Sequence, residues 1–469
     1  MNGNVNNWVE KEFQTIDFGS KRLEKRFLKV MSDLAQEPEK SIWLVSGSRA
    51  NAKAAYRMIS NKEFTKENIL AAHRNATNTR NNTIRNNNTH NNDNQNNNNN
   101  VLLAVQDTMA VNYDTHKKMV HLGYNCEKSL GINVHSCLLI TPDGVTMGLV
   151  DQTINTRETN KDPHSPHEKQ KRKIQDKESG RWLQTMQTAQ NNAPEGTKLV
   201  HIADREGDIY EWYHLAQSTN QSFVIRAKHD RLTPEGTHIW EEVARSKPKG
   251  QIKLLVAKNS KSQTEEREAI LTLRYITTRI QRPSNRTEPE LPSELTINLV
   301  NVVEEDPPEG VTPIEWMLTT NLELASCEDA LLVVDYYRQR WKIERFFYVL
   351  KSGCRIEELQ QHSVDRLEIM VLLYSLISVH IMMLTYLSRL YPDLSCELVF
   401  SESEWKLLYR VAKRTSVVPE RPFSMADAIG FVAVLGGFVG APSDGPPGLK
   451  VVWMGLCKFF TLYAFCEFI

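Results

Sequence analysis

The segment running from Asp335 to Lys351 has the spacing with the most chemical content in this chain. Tyr337, Arg340, Glu344 and Lys351 stand at i, i+3, i+7 and i+14. At about 3.6 residues per turn, all four share one stripe of a helix. A phenol, two cations and a carboxylate beside an apolar face suit a phosphodiester. The carboxylate can hold a divalent metal, and the cations can hold phosphates. The competing reading is an exposed ion-pair face, which charged helices commonly carry.

Two aspartates extend the constellation. Asp107 follows the apolar run Val101–Val105, and Asp204 follows Lys198–Ala203. Each is expected just past a buried strand, where open sheets place their chemistry. Neighbouring strands would bring both to one rim, with Glu344 supplied by the adjoining helix. Three converging carboxylates repel one another unless hard divalent cations, Mg2+ or Mn2+, hold them together. Two such ions per site, about 4 Å apart, would serve the attacking and leaving oxygens of a displacement. Taken singly, an aspartate after a strand more often caps a helix or makes a turn.

The elements that must position these residues are legible in outline. Residues 1–74 read as helical, with apolar positions at Phe13, Leu23, Phe27, Leu28, Met31 and Leu34. Ala52–Ile59 and Thr65–Ala72 read as two further helices of that module. Residues 75–100 are dominated by Asn, a composition that predicts a disordered linker. Strands are predicted at Val101–Val105, at Ile132–Ile140 and Val145–Ile154 around the turn Pro142-Asp143-Gly144, at Lys198–Ala203 and at Ser222–Ala227. Helices are predicted at Glu178–Gln190 and Gly207–Gln217. The order predicts an α/β fold with a ribonuclease H-like mixed sheet over 101–230 and 318–365. Residues 231–317 read as a β-rich insertion subdomain. Apolar runs at Leu367–Leu390 and Ala426–Phe438 imply a helical C-terminal domain, 366–469.

Composition sets the limits. The chain has 469 residues, enough for several cores. Its 57 basic and 57 acidic residues balance, so contact with nucleic acid must come from local patches. Lys21-Arg22-Leu23-Glu24-Lys25-Arg26 and Lys169-Gln170-Lys171-Arg172-Lys173 are the candidates, although a lone basic run is more often a solvated face. Seven scattered cysteines without a C-x2-C pair argue against zinc and a disulfide framework, and fit a reducing cytosol. No cationic-then-apolar signal segment opens the chain. Val451–Ile469 approaches membrane-spanning length but is broken by Lys458 and Glu467, so a buried helix is expected there.

The spacing Y-x2-R-x3-E-x6-K resembles the Tyr-Arg-Glu-Lys signature of bacterial cut-and-paste DDE transposases. Ala203-Asp204-Arg205-Glu206-Gly207-Asp208-Ile209-Tyr210 resembles their second-aspartate block, and Val105-Gln106-Asp107-Thr108 resembles their first-aspartate strand. Asp107, Asp204 and Glu344 would then be the D-D-E triad. Phe223–His229, with Arg226 and Lys228, resembles the strand that contacts DNA near the cleaved end. Thr312-Pro313-Ile314-Glu315-Trp316 resembles the segment whose tryptophan stacks on a flipped-out base. A packed core indole is the alternative for Trp316. Lys177-Glu178-Ser179-Gly180-Arg181-Trp182 also resembles a family segment. The likeness spans most of residues 7–440, and the Asn tract departs from it.

The resemblance implies a homodimer pairing two DNA ends. It would nick one strand, form a hairpin, open the hairpin, and join the 3′-hydroxyl to target DNA. Tyr337, Arg340, Lys351 and Arg226 would clamp end phosphates, while Lys21, Arg22, Lys25 and Arg26 would serve the N-terminal DNA-binding domain. A cytoplasmic, nucleoid-associated bacterial protein with no membrane partner is expected. The alternative is a decayed or inhibitory protein that binds DNA ends without cutting them.

Overall fold

The computed structural model describes residues 7–89, 100–116, 118–157, 172–256, 266–286, 288–441 and 445–466. Among them lies a ten-stranded mixed sheet: β1 Val101–Asn112, β2 Gly123–Tyr124, β3 Leu130–Ile140, β4 Thr146–Asn155, β5 Lys198–Ala203, β6 Ser222–Arg226, β7 Gly250–Val256, β8 Arg267–Gln281, β9 Glu294–Glu304 and β10 Glu315–Thr320. The order is β2-β3-β1-β5-β6-β10-β9-β8-β7, with β4 pairing β3. β1, β5 and β6 are parallel, and their apolar residues are buried, as a sheet covered on both faces requires. The chain is α/β, as expected. The strands of 231–317 are hydrogen-bonded into the same sheet: β10 pairs β6 on one side and β9 on the other, so β9, β8 and β7 extend it.

The N-terminal module comprises α1 Asn7–Glu12, α2 Lys21–Gln36, α3 Ile42–Val45, α4 Arg49–Ile59 and α5 Lys66–Thr89. Phe13, Phe18, Phe27 and Phe64 pack into its centre. The main difference from expectation is α5, which runs straight through residues 75–89 instead of giving way to a linker. Asn is a poor helix former, so propensity alone misleads here. Tertiary contacts override it. Arg74 Nε donates to Val150 O at 2.8 Å, and Arg80 Nη2 donates to Met147 O at 3.0 Å, both on β4. His73 Nε2 accepts the Leu149 N–H at 2.8 Å, which places its proton on Nδ1, facing Glu12. The approach is so close that a Cβ at Gly148 would strike Thr77. Burial alone would raise the Glu12 carboxyl, but Arg80 and His73 outweigh it and hold it well below the usual range. The rest of the Asn tract, residues 90–99, lies outside the described residues.

α6 Gly180–Asn191, α7 Tyr210–Ser218 and α8 Ile239–Arg245 follow, and α9 Cys327–Arg338 and α10 Trp341–Tyr348 carry the signature. The expected single helix is broken. Around Gln339 and Arg340 the backbone makes i→i−3 bonds, Gln339 N to Tyr336 O at 3.1 Å and Arg340 N to Tyr337 O at 3.0 Å. Beyond α10, Val349–Gly353 forms a π-helical turn.

α11 Val364–Leu390, α12 Glu402–Lys413, α13 Met425–Leu435 and α14 Leu449–Cys466 complete the fold. By length and composition both α11 and α14 could cross a membrane, yet α11 is enclosed almost entirely within the protein. The C-terminal helix was expected to be buried, and it is only partly so. α14 buries Val452, Leu456, Phe459 and Phe460 but leaves Met454, Leu462 and Phe465 exposed.

His380 on α11 stacks on Trp8, with ring centroids 4.1 Å apart. Burial, the largest cause, holds its pKa down at about 3, with Glu12 opposing and Arg80 assisting. The unfolded chain therefore takes up a proton at this position below pH 6.5 that the folded chain refuses. This position loses stability as pH falls, by about 1.4 kcal/mol per pH unit. His380→Phe keeps the stacking and removes that proton. Its stability relative to the parent chain is expected to improve by about 1.4 kcal/mol for each pH unit below 6.5. Denaturant unfolding at pH 7.5, 6.5 and 5.5 measures this, and a pH-independent difference refutes it.

Candidate active site

The site is built on the β1–β5 pair. Their parallel register runs from Val101↔Lys198 to Val105↔Ile202. It stops two residues short of Asp107 and Asp204, which remain close enough for the charge of Asp204 to bear on Asp107. Asp204 stands at the end of β5, as expected, and its Oδ1 accepts the Glu206 N–H at 2.8 Å. Asp107 is not past its strand but within it, because β1 continues to Asn112 along β3. Beyond Ile202 that stretch of β1 has lost its β5 partner, which opens a gap beside Asp107. Gly207 keeps the Asp204 turn compact, since a Cβ there would collide with Trp212 and Ala203.

Glu344 arrives from α10. Arg340, in the break between α9 and α10, donates through Nη1 to Asp107 Oδ2 at 3.1 Å and to Glu344 Oε1 at 3.2 Å. The Asp107 side chain is 11% exposed, Arg340 14% and Glu344 40%. Asp107 Oδ1 accepts the Thr108 N–H at 2.7 Å. The Asp107 carboxyl is pushed up to about 7, by burial first and then by the charge of Asp204. Arg340 and the Thr108 amide pull against this, and Glu344 adds to it. One arginine thus leaves the carboxylates under-compensated. Among the described residues no three acidic, His or Cys side chains form a ready-made metal cluster. The donor set is nonetheless all oxygen, which suits Mg2+ or Mn2+ rather than a softer ion. The residues fit such an ion once Arg340 yields its contacts.

A second group lies alongside. Trp316 on β10 meets Tyr337 on α9 edge-on, with ring centroids 5.4 Å apart. Tyr337 is buried and hydrogen-bonded to Arg226, which also donates to Glu315 O at 2.8 Å. Trp316 is half-buried. Lys351 is turned elsewhere and pairs with Glu357 at 3.4 Å. Lys228 is exposed at the end of the β6 segment.

The basic run on α2 is on the surface, but Lys21 is paired with Glu24 at 2.8 Å. Of the second basic run, Lys169, Gln170 and Lys171 lie outside the described residues. The helix expected at Ala52–Ile59 forms as α4, with a basic face that the sequence analysis does not single out. Arg49, Lys53 and Arg57 are exposed there and form no ion pair among the described residues, and Asn51 lies between them. The signal was present as basic residues four apart on a short helix. It was missed because they do not form a contiguous run.

The comparisons divide the chain accordingly. Residues 5–64 match the transposase DNA-binding family, residues 151–379 the transposase DDE domain, and residues 376–466 the transposase Tn5 dimerisation domain. The chain belongs to the insertion-sequence DDE transposases. Its sheet is accordingly the ribonuclease H-like core of a DDE domain, and the transposase carries DNA-binding and dimerisation domains at either end. The DDE match begins at Asp151, within β4, and takes in Asp204 and Glu344. Asp107 lies before it and is tied to Glu344 through the shared Arg340. The exposed apolar face of α14 falls within the dimerisation match.

Removing charge on α4 is expected to weaken DNA binding without unfolding the module. Arg49→Ala, Lys53→Ala and Arg57→Ala should each lower the salt dependence of binding by about one unit of slope if they meet phosphates. A base-reading residue should instead relax sequence preference at one position. Gel shifts at several salt concentrations, beside thermal melts, check this. Unchanged binding in all three variants excludes α4.

Proposed function

We propose that this transposase binds the ends of a mobile element and cuts them by nicking, hairpin formation and hairpin opening before strand transfer into target DNA. The observation that supports this most is the convergence of the three carboxylates: the charge of Asp204 bears on Asp107, and Arg340 bonds both Asp107 and Glu344. These three carboxylates would hold Mg2+, or Mn2+ in its place, as two ions per site. When bound, the ions would supply Lewis acidity to the attacking and leaving oxygens of an in-line displacement.

The chain's own residues do the rest. Asp107 and Asp204 are each oriented through Oδ1 by one backbone amide, and Asp107 Oδ2 is held by Arg340. Arg340 is placed to exchange its carboxylate contacts for a phosphate oxygen, a partner its planar fork suits equally. Tyr337 and Arg226 form a second polar anchor beside it, and Lys351 and Lys228 add positive charge further out. Water attack on phosphorus frees a 3′-hydroxyl, and that hydroxyl attacks the opposite strand to close the hairpin. Trp316 lies beside Tyr337, within reach of the same DNA end, where stacking would hold a displaced base at about 1–3 kcal/mol. The exposed face of α14 would join two copies, and Lys21, Arg22, Lys25 and Arg26 would add phosphate contacts. Such an enzyme would work in the bacterial cytoplasm, on the nucleoid.

The second reading, a non-cutting end-binding protein, draws on Arg340, which already occupies two of the three carboxylates. One experiment separates them. Asp107→Ala, Asp204→Ala and Glu344→Ala should keep their shift of end DNA and lose Mg2+-dependent nicking by about a thousandfold. Near-native nicking in any one of them removes that residue from the triad. Absent nicking in the parent chain favours the second reading.

Trp316→Ala should nick the first strand almost normally and stall before the hairpin, with a precut end bypassing part of the defect. A core role would instead lower stability by roughly 3 kcal/mol and reduce every step alike. A single-turnover cleavage gel beside a melt of the same variant decides between them.

A further inference from the structure

Strand pairing stops short of the two aspartates. The last β1–β5 pair is Val105↔Ile202, so no ladder bond fixes the separation of Asp107 and Asp204 beyond it. One side chain crosses this gap. Arg181, in the first turn of α6, donates through Nε to Thr108 Oγ1 at 3.2 Å and through Nη2 to Glu206 Oε2 at 3.3 Å. Its Nη1 donates to Glu178 O at 2.9 Å.

The two anchors of Arg181 are not arbitrary. Thr108 is the residue whose amide holds Asp107 Oδ1, and Glu206 is the residue whose amide holds Asp204 Oδ1. Arg181 therefore ties together the two residues that orient the two carboxylates. We propose that Arg181 is a positioning residue that sets the spacing of Asp107 and Asp204 for metal binding. This rests on the reading of those aspartates as metal ligands.

The tie is itself fixed from behind. Thr108 Oγ1 lies 2.9 Å from His135 Nδ1. With Arg181 donating to the hydroxyl, Thr108 donates onward to His135, which requires a neutral ring. Burial supplies that condition, with the charge of Arg181 adding to it. His135 in turn packs edge-on against Trp182, the residue next to Arg181, with centroids 4.7 Å apart. Each nitrogen of the Arg181 guanidinium group has a protein acceptor, and its side chain is 17% exposed. These are the features of a brace.

The test uses the full-length protein in two measurements. The first is Mn2+ binding without DNA, followed by electron paramagnetic resonance. The second is single-turnover nicking of end DNA across a Mg2+ titration. Arg181→Met should weaken Mn2+ binding and raise the Mg2+ half-saturation by about 10-fold or more, as loss of an outer-shell partner does. At saturating Mg2+ its nicking rate should return to within about threefold of the parent, with DNA affinity unchanged. Thr108→Val should move both readouts in the same direction by less. Arg181→Lys, which can keep one contact but not both, should fall between parent and Met.

Unchanged Mn2+ affinity together with a lowered melting temperature would reduce Arg181 to a stability brace and overturn the proposal. Unchanged metal dependence with weakened DNA binding would make it a phosphate contact and overturn it equally. If Asp107→Ala itself binds Mn2+ and nicks like the parent, the metal-ligand reading fails and takes this proposal with it. If Asp107→Ala fails while Arg181→Met behaves as the parent in both measurements, only the role of Arg181 is refuted.

Discussion

Like charge brought to one place is the constraint from which the catalytic half of this molecule follows. Parallel pairing of β1 and β5 puts two carboxylates side by side at a strand edge. Burial in a mixed sheet removes the water that would otherwise screen them. The surroundings answer with cationic side chains: Arg340 against Asp107 and Glu344, and Arg181 against the turn that carries Asp204. The break between α9 and α10 belongs to the same solution. A continuous helix would run past the sheet edge, whereas the tightened turn carries Arg340 to within hydrogen-bonding distance of Asp107.

The same logic recurs away from the site. Asp208, four residues beyond Asp204, is buried and kept ionised. Burial works against this, and Arg231 and the backbone amides of His229 and Lys228 overcome it. Those amides begin the segment that leaves β6, so one carboxylate pins the chain where it departs the parallel strands. A buried charge of this kind is strongly destabilising once a partner is removed, which makes such pairs better at holding geometry than at adding stability.

Much of this was legible in the residues. The apolar runs at Lys198–Ala203 and Ser222–Ala227 correspond closely to β5 and β6, because parallel strands buried on both faces are continuously apolar. The i, i+3 and i+7 spacing brought Tyr337, Arg340 and Glu344 to one side despite the break, since the break is one short tightened turn of i→i−3 bonds. What could not be read depended on partners distant in sequence. Asp107 looked like a strand end because the sequence does not show that β3 goes on supporting β1 past β5. Residues 75–89 looked unstructured because Asn carries no helical signal. Their order comes from β4 carbonyls and from Glu12, many residues away. Arg181 gave no signal beyond the segment it sits in, because its role depends on a gap between strands.

The continuity of α5 changes how the two ends of the protein relate. A disordered tether would let the N-terminal module and the catalytic sheet search independently. A helix bolted to β4 through His73, Arg74 and Arg80 gives the molecule a ruler instead. The offset between the DNA-binding module and the sheet is then a property of the scaffold. Inserting a few residues within α5 would rotate the module about the helix axis as well as displace it, so this distance is measured in phase as much as in length.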